Sequence, residues 1–222
     1  MSERLVVFDL DGTLIDSEGG IVLAMERTAL ALALPGGTVE RWRKLIGMPL
    51  REQMPAILPA ERLAEAPRVV ECYREVYREI MLPMSRPFAG TDALVRALHR
   101  RGVMLAICSG KRGRSIREVL AQAGWLEFFE TIVSPDEVIR GKPDPESLKL
   151  ALALTGFGVG EALMVGDTTL DIEMARAAGV ACCAVTWGTH GREELVSARP
   201  DFWVETVEEL AGRLDRWLGW SA

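Results

Sequence analysis

The sequence has little of what marks several common activities. Among its 222 residues there are only two histidines, His99 and His190, and they do not share a ligand-like spacing. The four cysteines, Cys72, Cys108, Cys182 and Cys183, form no CxxC pair. That excludes the usual zinc and dithiol motifs and leaves small buried thiols of a reducing compartment as the expectation. No apolar run approaches the roughly 18 residues that a membrane-spanning helix needs. A formal net charge of −6 and a pI near 5.2 leave no basic field for nucleic acid or an anionic membrane surface. The first apolar run is not followed by GxGxxG, so the dinucleotide-binding fingerprint is missing. The opening MSERLVVFDLDGTL does not read as a secretory signal, and a cytoplasmic protein is expected. Lysine is scarce, at positions 44, 111, 142 and 149 alone, and aspartate is absent between Ser17 and Met84.

What is present is a rhythm. Short apolar runs of strand length recur at residues 4–8, 103–107, 131–134, 162–165 and 181–186. Several are rich in valine and isoleucine and hardly alternate, as strands buried on both faces do. Between the later runs lie helical patterns closed by glycine, such as SIREVLAQAG and DPESLKLALALTG. Alternating strands and helices predict an α/β fold with a doubly wound, mostly parallel sheet. The first connection departs from this rhythm. Nearly a hundred positions separate the first two strands, where a βαβ unit takes roughly 30 residues. The intervening stretch reads as four helices, with Pro67 near a break in the last. It is read as an inserted all-helical cap over residues 17–84, with residues 1–16 and 85–222 forming the α/β core and hinges near Asp16–Ser17 and Met84–Pro87.

The first strand poses a chemical problem. It ends in Asp9 and Asp11, two carboxylates one residue apart, followed by Gly12 and Thr13. Burying like charges side by side is costly unless a cation or backbone N–H groups compensate them. Ligands of open α/β sheets bind beyond the carboxyl ends of the strands. The residues following the other strands are Ser109 and Gly110, then Lys142 in GKPDP, then Asp167 and Asp171 in GDTTLD, then Trp187, Gly188 and Thr189. Carboxylates, a hydroxyl and a lysine thus converge on one end of one sheet.

DLDGTL, CSG, GKPDP and GDTTLD, in this order and each after its strand, make the chain resemble the haloacid dehalogenase (HAD) superfamily. Within it, the chain is most similar to phosphoglycolate phosphatase-like members with a helical cap after the first strand. The resemblance covers essentially the whole chain and implies a magnesium-dependent phosphatase acting on a small phosphate monoester, such as 2-phosphoglycolate. It implies Asp9 as the nucleophile that forms an aspartyl-phosphate, and Asp11 as the acid and base for the leaving alcohol and the attacking water. Mg²⁺ would be held by Asp9, the backbone carbonyl of Asp11, and Asp167. Ser109, with the backbone N–H groups of Leu10 and Gly110, would bind phosphate together with Lys142. Thr13 and Asp171 would support the site, the latter as a partner of Lys142 or of a metal-bound water.

Other readings compete. A phospho-accepting signalling domain, or a non-catalytic binding protein on the same scaffold, could share an acidic cluster with a lysine and a hydroxyl. The signalling domain would not need a large cap between the first two strands, and the binding protein should have lost one of the key groups, of which none is missing. Dehalogenases of the superfamily lack the second aspartate, whereas Asp11 is present. Sugar-phosphate mutases of the superfamily carry a lysine before the cap-loop glycine and an arginine just after it. Here Ile46 precedes Gly47, and Arg51 is out of register by one. Around Gly47, Arg43, Lys44 and Arg51 are cations suited to a carboxylate beside the phosphate, although they could equally pair with Glu40 and Glu52. The expected partner is a small phosphorylated metabolite, with no nucleic acid and no membrane, and the chain is expected to be a monomer or homodimer.

Overall fold

A computed structural model describes residues 4–220. In chain order the strands are β1 Leu5–Phe8, β2 Ile15–Asp16, β3 Arg86–Pro87, β4 Met104–Cys108, β5 Thr131–Val133, β6 Ala162–Gly166, β7 Ala181–Val185 and β8 Phe202–Val204. The α-helices are α1 Glu18–Ala31, α2 Thr38–Arg43, α3 Leu50–Ile57, α4 Ala66–Ile80, α5 Thr91–Arg100, α6 Gly113–Ala123, α7 Glu146–Thr155, α8 Thr169–Ala178, α9 Arg192–Ser197 and α10 Val207–Trp217. Six strands form one parallel sheet in the order β5-β4-β1-β6-β7-β8.

The fully buried β1 explains why valine-rich runs do not alternate here. Val6 and Phe8 enter a core that includes Leu94 and Val95 of α5, Ile116 of α6 and Leu210 of α10. Leu5 and Val7 enter a second core with Leu148 of α7, Ile172 of α8 and Leu195 of α9. Both faces are covered, so polar alternation has no place in the strand. The order in which strands are added to the sheet reverses at β1, whose neighbours β4 and β6 lead outward to opposite edges. That is the switch point at which open α/β sheets form a crevice.

The five strands expected from the sequence are all present, and β8 is a sixth. It has three residues and follows Asp201, too short for a periodic signal. A further pair of two-residue strands, β2 and β3, forms an antiparallel ribbon with Ile15 opposite Pro87 and Asp16 opposite Arg86. It lies where the helical insertion leaves and rejoins the sheet-bearing part.

The insertion contains α1 to α4, with a 3₁₀ turn at Ala60–Glu65 before α4. Pro67 sits in the first turn of α4, where its missing N–H costs nothing. Trp42, Met54, Ile57, Val69 and Tyr73 are buried there with Met25 of α1. Each large apolar side chain so buried is worth about 1.5–3 kcal/mol. The Trp42 indole donates to Gln53 at 2.5 Å, and Gln53 in turn donates to the Met48 carbonyl at 2.7 Å, so these buried polar groups are satisfied. No helix among the described residues is long and apolar enough to cross a membrane.

Candidate active site

The crevice at the ends of β1, β4 and β6 gathers the charged residues. Gly12 has φ +82°, and a Cβ there would lie 2.2 Å from Asp167, so this turn admits only glycine. The turn carries Asp9 and Asp11 to different partners. Asp9 is buried, and Lys142 donates to its Oδ1 at 2.6 Å. Lys142 also donates to Asp171 at 2.5 Å. The second oxygen of Asp171 accepts from the Thr168 N–H and hydroxyl at 3.0 and 2.7 Å, closing the first turn of α8. Asp167 is fully buried and accepts from the Thr13 hydroxyl and the Thr189 N–H, both at 2.8 Å. Thr13 therefore serves Asp167.

Asp11 is held differently. Lys111 Nζ lies 2.9 and 2.8 Å from its two oxygens, and the Ser17 hydroxyl donates at 2.6 Å. Lys111 also donates to the Tyr77 hydroxyl on α4 at 2.7 Å. The two carboxylates of the opening motif are thus neutralised by two separate lysines, and one of these ties the sheet to the insertion. Burial pushes both ammoniums toward the neutral form. For Lys111, Asp11 and Tyr77 outweigh burial; for Lys142, Asp171 and Asp9 do, so both pKa values lie above the ordinary lysine value.

Oxygen atoms of Asp9, Asp167 and Asp171 lie within 4.8 Å of one another. The Asp11 side chain lies outside this group and is engaged by Lys111 and Ser17, which leaves its backbone carbonyl as the atom it could offer a metal. Burial raises Asp9 to about 7, with Lys142 offsetting part of the rise and Asp171 and Asp11 adding to it. Burial, then Asp9 and Asp171, raise Asp167 to about 8. Three buried carboxylates against one ammonium form an all-oxygen, electron-rich set that fits a hard divalent cation.

This electrostatics makes a prediction. Asp9 and Asp167 hold protons in the fold that the unfolded chain releases near its ordinary carboxylate pKa of 3.8. The metal-free protein is therefore expected to lose stability as pH rises from about 4 to about 8. Mg²⁺ should raise the thermal midpoint more at pH 8 than at pH 6, and scans with EDTA or Mg²⁺ across this range check it. A metal-free midpoint that climbs with pH would contradict the assigned charge balance.

Beside these groups opens a cavity of about 580 Å³, lined by Asp9, Asp11, Ser109 and Gly110 on the sheet side. Ser109 is nearly buried, and its hydroxyl accepts from the Lys111 N–H at 3.3 Å. Leu10 is buried in the core, so only its backbone can serve the site. The Gly47 loop of the insertion closes onto the sheet side: a Cβ on Gly110 would lie 2.3 Å from the Gly47 carbonyl oxygen. Of the three cap cations, only Arg51 lines the cavity. Arg43 sits on the outer face of α2 and pairs with Glu18 at 2.8 Å, and Lys44 is exposed just past that helix. Neither reaches the cavity, because α2 buries Trp42 and turns its basic residues outward.

Sequence reasoning gave no role to Lys111 or Tyr77, and placed Trp187 at a strand end without one. Lys111 follows CSG directly and is one of only four lysines, which was a usable signal. Tyr77 carried none, since a buried tyrosine in an amphipathic helix reads as core. The Trp187 indole donates to the Thr13 carbonyl at 3.1 Å and braces the opening motif. His190 is buried, and its Nδ1 accepts from the Thr169 N–H at 3.1 Å at the start of α8.

Residues 6–185 match the family model described as haloacid dehalogenase-like hydrolase. The chain is 36% identical over 214 residues to "Probable phosphatase IndB" of Dickeya dadantii, covering 94% of this chain and 92% of that one. It is 31% identical over 226 residues to a phosphoglycolate phosphatase of Mesorhizobium japonicum, covering 99% and 100%. Among solved structures, a haloacid dehalogenase-like hydrolase from Bacteroides fragilis superposes with a TM-score of 0.85 at 28% identity, covering 93% of this chain and 99% of that one.

Proposed function

The chain belongs to the haloacid dehalogenase-like hydrolase family and is a phosphatase, and on that premise we propose that it hydrolyses a small phosphate monoester through an aspartyl-phosphate on Asp9, with Mg²⁺ as cofactor. The observation that carries this reading is the separation of the two carboxylates of DLDGTL, Asp9 onto Lys142 and Asp11 onto Lys111. Such a pair can divide the labour of nucleophile and acid–base.

Lys142 fixes one oxygen of Asp9, which orients the carboxylate toward the phosphorus. Asp9 forms the new P–O bond while the bond to the leaving alcohol breaks, and Asp11 gives that alcohol its proton. Asp11 then takes a proton from water, whose oxygen attacks the phosphorus and releases Asp9. Ser109, the N–H groups of Leu10 and Gly110, and Lys142 receive the phosphoryl oxygens. Asp9, Asp167 and the Asp11 carbonyl would hold Mg²⁺, with Asp171 keeping Lys142 in place. When bound, the ion neutralises charge on the transferring phosphoryl group.

Residues 17–84 act as a cap that excludes water, moving about the β2–β3 ribbon, with Tyr77 meeting Lys111 in the closed arrangement. 2-Phosphoglycolate is the leading candidate substrate, since Arg51 offers a fork for its carboxylate and a relative is named for that compound.

Phosphate release from a panel of monoesters tests the reading. Activity is expected with Mg²⁺, to vanish on chelation, and to return when Mg²⁺ is restored. Turnover that persists in excess EDTA would remove the metal from the mechanism. No phosphate release from any monoester would remove the mechanism itself.

A further inference from the structure

Asp167 differs from the other carboxylates of the site. Asp9 and Asp171 share Lys142, and Asp11 has Lys111. Asp167 is fully buried, yet its oxygens are held by uncharged donors alone among the described residues. The Thr13 hydroxyl donates to Oδ1 and the Thr189 N–H to Oδ2, both at 2.8 Å. These donors come from segments far apart in the chain, the turn after β1 and the loop 187–190 after β7. What aims both at one carboxylate is the way that loop is fastened.

Two side chains fasten it, one at each end. At the near end the Trp187 indole donates to the Thr13 carbonyl at 3.1 Å, gripping the residue that supplies the first donor. The rings of Phe88 and Trp187 meet edge to face with centroids 6.5 Å apart, which limits how the indole can turn. At the far end His190 Nδ1 accepts from the Thr169 N–H at 3.1 Å, and the His190 N–H donates to the Asp167 carbonyl at 3.3 Å. Thr169 opens α8, so its N–H has no partner within the helix. Between the anchors Gly188 presses on the site: a Cβ there would lie 2.3 Å from Asp167 Oδ2 and 2.4 Å from the Gly12 carbonyl oxygen. The loop and the β1 turn thus enclose Asp167 between them.

Neither Trp187 nor His190 lines the cavity, so neither is placed to touch a substrate. Their reach is to Asp167. Groups that orient a carboxylate ligand tune its grip on a metal, and losing one typically costs about 10- to 100-fold in affinity.

We propose that Trp187 and His190 are positioning residues of the metal centre: by anchoring the loop 187–190 at both ends, they hold the Thr13 and Thr189 donors on Asp167 and so set the affinity for Mg²⁺. The proposal rests on the phosphatase reading above, in which Asp167 holds the ion, and adds the residues that prepare it.

Calorimetric titration of the metal-free protein with Mg²⁺, in the absence of substrate, tests this. Trp187→Phe keeps an aromatic ring beside Phe88 and loses the indole N–H, while His190→Ala loses the acceptor for Thr169. Each is expected to weaken Mg²⁺ binding by roughly 10- to 100-fold. His190→Asn, whose side-chain oxygen can accept from the Thr169 N–H, should return to within about threefold of the wild type. Thermal midpoints in EDTA, taken for every variant, should change little.

Affinities within about twofold of the wild type in both Trp187→Phe and His190→Ala overturn the proposal. A lowered midpoint with unchanged affinity does the same, since both residues would then act through packing. Wild-type protein that binds no Mg²⁺ overturns the proposal together with the assignment of the ion. Hydrolysis of p-nitrophenyl phosphate is followed in parallel, and the Mg²⁺ concentration for half-maximal rate should rise by the same factor as the dissociation constant. If no phosphate is released while the variants still bind Mg²⁺ more weakly, the phosphatase reading falls and the positioning role stands. If Mg²⁺-dependent release continues with unaltered affinity in the variants, the reading stands and the positioning role falls.

Discussion

Asp9→Asn is expected to lower turnover by several orders of magnitude while leaving the fold intact. An amide is a poor nucleophile toward phosphorus and forms no acyl phosphate that water could readily cleave. A loss of roughly ten-thousandfold corresponds to about 5.5 kcal/mol of transition-state stabilisation. The fold should survive because the Asn carbonyl oxygen can still accept from Lys142, where Asp9 Oδ1 now does at 2.6 Å. Removing a negative charge that Asp167 and Asp171 both feel should even stabilise the metal-free protein slightly. Steady-state rates and thermal midpoints, measured side by side, separate lost chemistry from lost structure. Activity within tenfold of wild type would take the nucleophile role from Asp9.

Lys142→Met is expected to abolish activity and to damage the fold as well. Its ammonium is 2% exposed and is the shared partner of Asp9 and Asp171. Methionine fills similar volume but leaves buried carboxylates facing one another. Breaking a buried ion pair by removing one partner typically costs about 3–5 kcal/mol. The sign of the pH dependence follows from the carboxylates. Asp9, raised to about 7 by burial with Lys142 offsetting part of the rise, is pushed higher without that ammonium and keeps its proton at acid pH. The destabilisation should therefore be smaller near pH 5.5 than near pH 8, and added Mg²⁺ should recover part of it at the higher pH. Urea unfolding in EDTA and in Mg²⁺ at both pH values measures this. An equal loss at the two pH values would mean that Lys142 acts through packing rather than charge.

The sequence by itself determined the parallel sheet, the helical insertion and the group of residues at the strand ends. Each of these is written in local terms. Valine-rich runs of strand length, glycine-closed helical patterns, and motifs placed directly after strands depend on neighbours in the chain. Because parallel strands all run the same way, whatever follows each of them arrives at the same end of the sheet. Asp9, Ser109, Lys142 and Asp167 could be grouped on that basis alone.

Only the tertiary structure decided how the charges were paired. Lys111 and Asp11 are a hundred positions apart, and Tyr77 reaches them from a helix whose pattern reads as ordinary core. Arg43 and Arg51 looked equivalent as cations near Gly47, yet α2 turns Arg43 out to Glu18 and α3 presents Arg51 to the cavity. Pairing of this kind depends on the angles at which the insertion packs and on where its loop lands against Gly110. Those are set by the burial of Trp42, Tyr73 and their neighbours across several helices at once, and no single stretch of the chain encodes them.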